Sequence, residues 1–140
     1  MTTQPSETNQ KSSPARGVVA IGEALWDLFL TGPRFGGATD NFACSLAGLA
    51  RNRATVSILS GVGRDDLGKK SLRELSSHGV DTSYVQQNHF ETGTVKVALD
   101  GLRAATYRFA ENTAWDNLAW TDEIETLASR VDAVCFGTLG

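Results

Sequence analysis

The chain has 140 residues, of which 41% are hydrophobic and 21% are charged, and its net charge is −3. These values predict one globular domain with a core and argue against a disordered chain. The small negative charge gives no reason to expect nucleic acid or a membrane surface as a partner, and no apolar run approaches the roughly 20 residues that cross a bilayer. No signal-peptide-like segment is present, and Cys44 and Cys135 read as free thiols, so a cytoplasmic location is expected.

The first half of the sequence alternates strand-like and helical segments. Residues 1–16 are polar and predict a disordered tail. Residues 18–21 form an apolar run that ends at Gly22, which is typical of a strand buried on both faces of a parallel sheet. A helix is predicted from Asn41, and a second strand over residues 55–59. This order predicts an α/β fold with parallel strands.

The predicted helix from Asn41 carries large apolar residues at helical spacing, which indicates the face that packs on the sheet. These residues are Phe42, Leu46 and Leu49. Residues 61–66 then predict a turn, and Asp65 or Asp66 is expected to cap the helix that follows. Gly79 stands where the left-handed residue at the end of that helix is expected.

The second half of the sequence departs from this alternation. Residues 94–99 and 106–109 alternate apolar and polar side chains, and the Asp-Gly pair at 100–101 favours a tight turn between them. We therefore expect an antiparallel hairpin that forms a flap or second layer beside the parallel sheet. A helix capped by Thr121 and a buried strand over 133–136 complete the pattern.

Four residues that follow the first strand have the chemistry of a site for a polyhydroxy ligand. Asp27 can accept hydrogen bonds from two adjacent hydroxyls, each contributing roughly 1.5–3 kcal/mol, although a solvated loop position explains it equally well. Gly36 and Gly37 let the backbone approach a ligand closely. Asn41 offers a donor and an acceptor in the first turn of a helix, and its alternative role is in a turn or helix cap.

Two other kinds of site are not supported by the sequence. Gly61, Gly63 and Gly68 have the spacing G-x-G-x-x-x-x-G and do not match the dinucleotide fingerprint, and no phosphate-binding P-loop is present. His78 and His89 lack cysteine or carboxylate neighbours at ligand spacing, so no metal site is expected.

The order of three motifs, followed by the hairpin, resembles the ribokinase/PfkB family of sugar kinases. The motifs are Gly22-Glu23-x-x-x-Asp27, Gly36-Gly37-x-x-x-Asn41 and Val62-Gly63-Arg64-Asp65-x-x-Gly68. Three further segments are similar to the fructokinase branch, namely Leu25-Trp26-Asp27-Leu28, Ala114-Trp115-Asp116 and Phe136-Gly137-Thr138-Leu139. The resemblance covers residues 17–140, almost all of the chain outside the polar tail.

The resemblance implies a parallel Rossmann-like sheet with a small antiparallel β lid. It assigns Asp27, Gly36, Gly37 and Asn41 to sugar binding, and it brings Arg108 toward the substrate. In addition, Tyr107 and Phe109 flank Arg108 and are alternative contacts from the lid. The lid strands are expected near 28–30, 94–99 and 106–110, and lids of this family often form a homodimer surface.

The implied activity is ATP-dependent phosphorylation of a sugar hydroxymethyl group, with fructose or a related ketose favoured by similarity and ATP and Mg as cofactors. The family places its catalytic aspartate and ATP pocket farther along the chain, so residues 1–140 are expected to be a truncated N-terminal part. We expect residues 17–140 to supply the lid and half of the sugar site, to contain no catalytic residue, to bind ATP and Mg poorly and to be inactive alone. The alternative is a non-catalytic module that uses the hairpin to bind a partner.

Overall fold

The structure is a computed structural model that describes residues 16–99 and 104–137. Short loops connect the strands and helices of these residues, with 3₁₀ turns at Arg51–Arg53 and Ala114–Asp116. The elements are β1 (Arg16–Ile21), β2 (Leu25–Phe29), β3 (Gly32–Gly36), α1 (Ala38–Ala50), β4 (Ala54–Gly63), α2 (Asp66–Ser77), β5 (Val85–Asn88), β6 (Gly93–Leu99), β7 (Ala105–Phe109), α3 (Asp122–Ala128) and β8 (Ala133–Phe136).

The first sheet is parallel and has the strand order β5-β4-β1-β8. β1 lies between β4 and β8, and its apolar residues face both ways, as the continuous apolar run predicts. On one face Ala20 packs with Ile58 and with Ala43 of α1, and on the other Val19 packs with Ile124 of α3. Helices therefore cover both faces, and the predicted α/β fold with a parallel sheet is confirmed.

The second sheet has the strand order β3-β2-β6-β7 and contains the predicted hairpin. β6 and β7 pair antiparallel, and β6 also pairs in parallel with β2. The predicted turn at 100–101 lies outside the described residues. The sheet also includes β3, which pairs antiparallel with β2 and has no counterpart in the sequence prediction. This four-stranded sheet is called the lid below.

The lid is anchored to the rest of the domain through β2. The indole N–H of Trp26 donates a buried hydrogen bond of 2.9 Å to the hydroxyl of Ser71 on α2. The same ring lies 5.3 Å from that of Phe35 on β3, which packs against the core of the parallel sheet. On the opposite face of the lid, Leu25 and Val95 are buried together.

Three local predictions differ from the structure. The strand predicted as buried over 133–136 forms β8, which is the last strand of the described parallel sheet and is mostly exposed. Residues 61–63 continue β4 and do not form a turn, because they pair with β5, and the missing Cβ of Gly61 leaves room for the carbonyl of Ala114.

On α1, Ala43 is fully buried, whereas Phe42 and Leu49 are 36% and 74% exposed. The small alanine lets the helix lie close to β4. Leu46 packs against the core as predicted, whereas Phe42 and Leu49 lie on the outer side.

The predicted caps of the later helices are confirmed. Asp65 accepts a hydrogen bond of 2.8 Å from the N–H of Gly68 at the start of α2, and Thr121 caps α3. The left-handed conformation expected at Gly79 is also present. In the described part of the chain, no helix combines the length and the hydropathy that a bilayer span requires.

Candidate sugar site

A buried glutamate joins the end of β1 to the start of α1. Glu23 is 1% exposed, and its Oε1 accepts a hydrogen bond of 2.9 Å from the N–H of Ala38. Its Oε2 accepts a second hydrogen bond of 3.1 Å from the hydroxyl of Thr39. The N-cap residue Gly37 provides no side-chain cap. Glu23 therefore satisfies a free N–H group that the helix itself leaves without a partner.

Gly37 adopts a conformation that suits a glycine and occupies a space without room for a side chain. Its φ is +108°, in the left-handed region that other residues rarely adopt. A Cβ at this position would lie 3.3 Å from the carbonyl oxygen of Glu23 and 3.4 Å from Oδ2 of Asp40. The start of α1 therefore presents backbone, without a side chain, at this position.

Asp27 lies on β2, next to Gly36 on the neighbouring strand. A Cβ on Gly36 would lie only 2.6 Å from Oδ2 of Asp27, so the carboxylate occupies the space that the missing side chain leaves. Asp27 pairs with Val95 across the lid, which places it on the same face as that residue. The carboxylate thus points to the face of the lid that is turned toward α1.

A cavity of about 210 Å³ separates this face of the lid from the start of α1. Asp27 and Gly37 both line it, together with Glu23, Leu25, Ala38, Val95, Tyr107 and Phe109. Polar groups lie on the α1 side and aromatic side chains on the β7 side. The cavity is smaller than the roughly 300–1,000 Å³ of complete ligand pockets, and its carboxylate and aromatic lining suits part of a site for a small polyhydroxy ligand.

Three predicted site residues do not line this cavity. Gly36 is one of them, and its missing side chain instead leaves the space that the Asp27 carboxylate occupies. Asn41 follows in the first turn of α1, where its N–H donates to the carbonyl of Gly37 at 3.0 Å, and its side chain is exposed outside the lining.

Arg108 pairs with Lys96 and lines a separate cleft of about 280 Å³. Because side chains alternate along β7, Arg108 lies on the opposite face of the lid from Asp27. The two aromatic neighbours of Arg108 line the cavity in its place.

Glu23 and Asp40 are the contributors to this region that sequence reasoning missed. Glu23 was part of a motif, but a glutamate in a loop after a strand gives no signal of burial. Asp40 in the first turn of a helix gives no such signal either, although it is fully buried. The structure also has two larger clefts, of about 390 and 350 Å³, near Tyr84 and Glu123, and none of the predicted sugar-binding residues lines them.

Comparison with known proteins agrees with the fold and with the motifs. The sequence profile described as "pfkB family carbohydrate kinase" matches residues 31–139, which is more than half of the chain. The chain belongs to the PfkB family. Comparison with curated protein sequences gave no significant match.

Solved structures of sugar kinases resemble this PfkB chain along most of its length. An uncharacterized sugar kinase from Pyrococcus horikoshii has a TM-score of 0.77 at 27% identity, over 88% of this chain and 43% of its own. A fructokinase from Xylella fastidiosa with bound ATP has a TM-score of 0.65 at 26% identity, over 79% and 36%. A fructokinase from Vibrio cholerae O395 with fructose, ADP and calcium ion has a TM-score of 0.61 at 26% identity, over 74% and 35%. The chain therefore spans less than half the length of these structures.

Proposed function

We propose that this chain forms the lid and the sugar-binding half of an ATP-dependent carbohydrate kinase that acts on a hydroxymethyl group of fructose or a related ketose. The observation that carries the proposal is the cavity that Asp27 and Gly37 share beneath the aromatic side chains of β7. Membership of the PfkB family supports phosphoryl transfer to a carbohydrate. The fructokinase neighbours favour a ketose within that class.

In this proposal each side of the cavity has a separate task. Asp27 accepts hydrogen bonds from two neighbouring hydroxyls, and Gly37 lets the sugar approach the start of α1. Tyr107 and Phe109 are 60% and 46% exposed, so sugar bound beneath them would cover apolar surface that now faces water. A covered site excludes water, which otherwise competes with the sugar as phosphoryl acceptor.

The geometry supports sugar binding by Asn41 and by Arg108 to different extents. Asn41 lies one helical turn from Gly37, so its amide can bind a hydroxyl at the edge of the cavity, and we retain it as a sugar contact. Arg108 faces away from Asp27, and sugar binding by this residue stays a prediction that the geometry does not support.

The phosphoryl-transfer step needs groups that we do not assign to these residues. Among the described residues, no cluster of three or more His, Cys, Asp or Glu side chains could hold a metal ion. We assign no Mg-ATP ligand to the described residues, and we derive no step through the nucleotide or the metal. We propose that residues 1–140 orient the sugar but do not consume ATP on their own.

The exposed edge of the lid favours a second candidate function. Every residue of β7 (Ala105–Phe109) is exposed, and β7 is the last strand of the lid. An unpaired edge strand can pair with another chain. The lid can therefore serve as a homodimer surface or, in a non-catalytic module, as the binding surface for a partner strand.

Sugar binding can be tested directly on the chain by NMR. Titration of the ¹⁵N-labelled protein with fructose should shift the amide signals of Gly37, Ala38 and Val95. Asp27→Asn should weaken the affinity about 10-fold or more, because a hydrogen bond to a charged group contributes about 1.5–3 kcal/mol. The control Asp66→Asn changes an exposed aspartate on α2 and should leave the affinity unchanged.

Two results would contradict the proposal. Equal fructose affinity of the wild type and Asp27→Asn would remove Asp27 from the site. Clear sugar-dependent ATP consumption by residues 1–140, measured in a coupled assay, would contradict the expectation that the chain is inactive alone. A folded chain that binds none of a panel of ketoses, but forms a stable dimer through the lid, would favour the second candidate.

A further inference from the structure

The first turn of α1 contains a buried carboxyl group that has no hydrogen-bond partner. Asp40 is 0% exposed, and neither its Oδ1 nor its Oδ2 accepts a hydrogen bond from a described residue. A buried carboxylate in this situation loses its hydration without replacement, which strongly disfavours the charged form. The sugar-binding role proposed above makes no use of Asp40.

The surroundings of Asp40 make a negative charge still less favourable. A Cβ on Gly37 would lie 3.4 Å from both Oδ2 of Asp40 and Cγ of Glu23, so two acidic side chains flank the same glycine. The other titratable neighbours are Cys44, on the next turn of α1, and Glu74 of α2, which interacts electrostatically with Cys44. None of these groups is cationic, and no described cation forms an ion pair with Asp40.

We propose that Asp40 retains its proton in the folded chain at neutral pH and acts as a positioning residue for the start of α1. The neutral carboxyl can lie beside Glu23 without charge repulsion. Glu23 continues to accept hydrogen bonds from Ala38 and Thr39, and Gly37 keeps its place in the cavity wall. The consequence for sugar binding rests on the proposed function, whereas the proton on Asp40 does not.

The electrostatics of the site support this assignment and give its pH dependence. Burial raises the pKa of Asp40 well above its usual value. The N–H of Leu25, which lies outside hydrogen-bonding geometry, opposes part of the shift, and the charge of Glu23 adds to it. The folded chain therefore keeps a proton that the unfolded chain releases above pH ~3.9. The stability that this proton provides is complete below that pH and is lost as the pH rises toward the folded-state pKa.

The proton can be observed directly in the wild-type chain, without any substitution. The ¹³C signal of the Asp40 carboxyl should have the chemical shift of a protonated acid at neutral pH and should titrate only at higher pH. The amide signals of Gly37 and Ala38 should change with the same midpoint. An ionised Asp40 at neutral pH, whether hydrated or bound to a cation, would overturn the proposal.

A matched pair of variants tests the link to stability. Asp40→Asn replaces the protonated acid by a neutral group of the same shape, and Asp66→Asn makes the same change at an exposed position in the first turn of α2. Between neutral pH and the midpoint of the NMR titration, the unfolding equilibrium constant of the wild type should rise up to tenfold per pH unit relative to Asp40→Asn. Asp66→Asn should follow the wild type. A wild-type profile that is parallel to that of Asp40→Asn would overturn the proposal, and if Asp40→Asn does not fold, the carboxyl titration decides.

Fructose titrations at several pH values test the positioning role. The affinity of the wild type should fall as the pH passes the Asp40 midpoint, whereas Asp40→Asn should bind fructose at low and high pH alike. A purely structural contribution of Asp40 would lower affinity in Asp40→Asn without removing the pH dependence, and this result would overturn the positioning role. Absence of wild-type binding at every pH would count against the proposed function, and the proton would still be decided by the carboxyl titration.

Discussion

Gly36→Ala provides a precise test of the site because the new methyl group would meet the carboxylate of Asp27 and little else. The Cβ would lie 2.6 Å from Oδ2, whereas ordinary contacts begin at 3.4 Å, so the carboxylate must move by about 0.8 Å. The nearest backbone atom outside Asp27 is the carbonyl oxygen of Arg34 at 3.9 Å, which is an ordinary contact. The substitution therefore displaces Asp27 and should leave β3 intact.

A displacement of this size is sufficient to break a hydrogen bond. A bond of about 2.8 Å would lengthen to about 3.6 Å, beyond the range of a real hydrogen bond. The loss of one bond to a charged group costs about 1.5–3 kcal/mol, which corresponds to a 10- to 150-fold loss of affinity. The φ of Gly36 is not in the left-handed region, so the free energy of unfolding should change by less than about 1 kcal/mol.

The assay combines fructose titration by NMR with urea unfolding of the same samples. The matched control is Gly48→Ala on α1, where a Cβ would meet nothing within 4 Å. That variant should be about 1 kcal/mol more stable, because alanine has the higher helix propensity, and it should bind fructose as the wild type does. If Gly36→Ala folds and binds fructose with wild-type affinity, the carboxylate of Asp27 is not a sugar ligand.

Two further predictions concern the turn between β4 and α2. Gly68→Ala should lower the free energy of unfolding by about 3 kcal/mol in urea titrations, because the new Cβ would collide with the backbone carbonyl of Gly63. A loss below about 0.5 kcal/mol would refute this reasoning. For Asp65, burial alone would raise the pKa, but hydrogen bonds from Thr92 and Gly68 outweigh it and lower the pKa. The contribution of Asp65 to stability is therefore present above pH ~3.9 and is lost as the pH falls through the lower folded-state pKa. The difference in free energy of unfolding between the wild type and Asp65→Asn should shrink on acidification. A difference that stays constant with pH would contradict this prediction.

The periodicity of the sequence predicted the central elements because their side chains report burial directly. The apolar run of β1 belongs to this group, and the cap at Asp65 was recognisable from its side-chain chemistry. The apolar run of β8 predicted the strand but not its exposure. Two other edge strands, β3 and β5, gave no such signal. β3 reads Gly-Pro-Arg-Phe-Gly and becomes a strand only through its pairing with β2. β5 reads Val-Gln-Gln-Asn and depends on β4 in the same way.

In the candidate site, too, the sequence predicts some residues and fails to indicate others. Asp27 and Gly37 could be chosen because a carboxylate and a glycine pair near a strand end and a helix start have a recognisable chemistry. Glu23 and Asp40 could not be chosen in this way, because acidic residues are seldom buried and the sequence does not show which of them are buried here. Arg108 was placed by resemblance alone, and the alternation along β7 directs it to the other face of the lid.

The positions of Asp27 and Gly37 are fixed by the body of the domain and do not depend on the outer strands of the lid. Trp26 ties β2 to α2, and Glu23 ties the end of β1 to the start of α1. Asp27 directly follows Trp26 and Gly37 directly precedes Ala38, so each of the two residues lies next to one of these hydrogen bonds. β7, by contrast, is exposed along its length and contributes the aromatic cover. A substitution confined to β7 should therefore alter the aromatic cover of the cavity and leave the spacing of Asp27 and Gly37 unchanged.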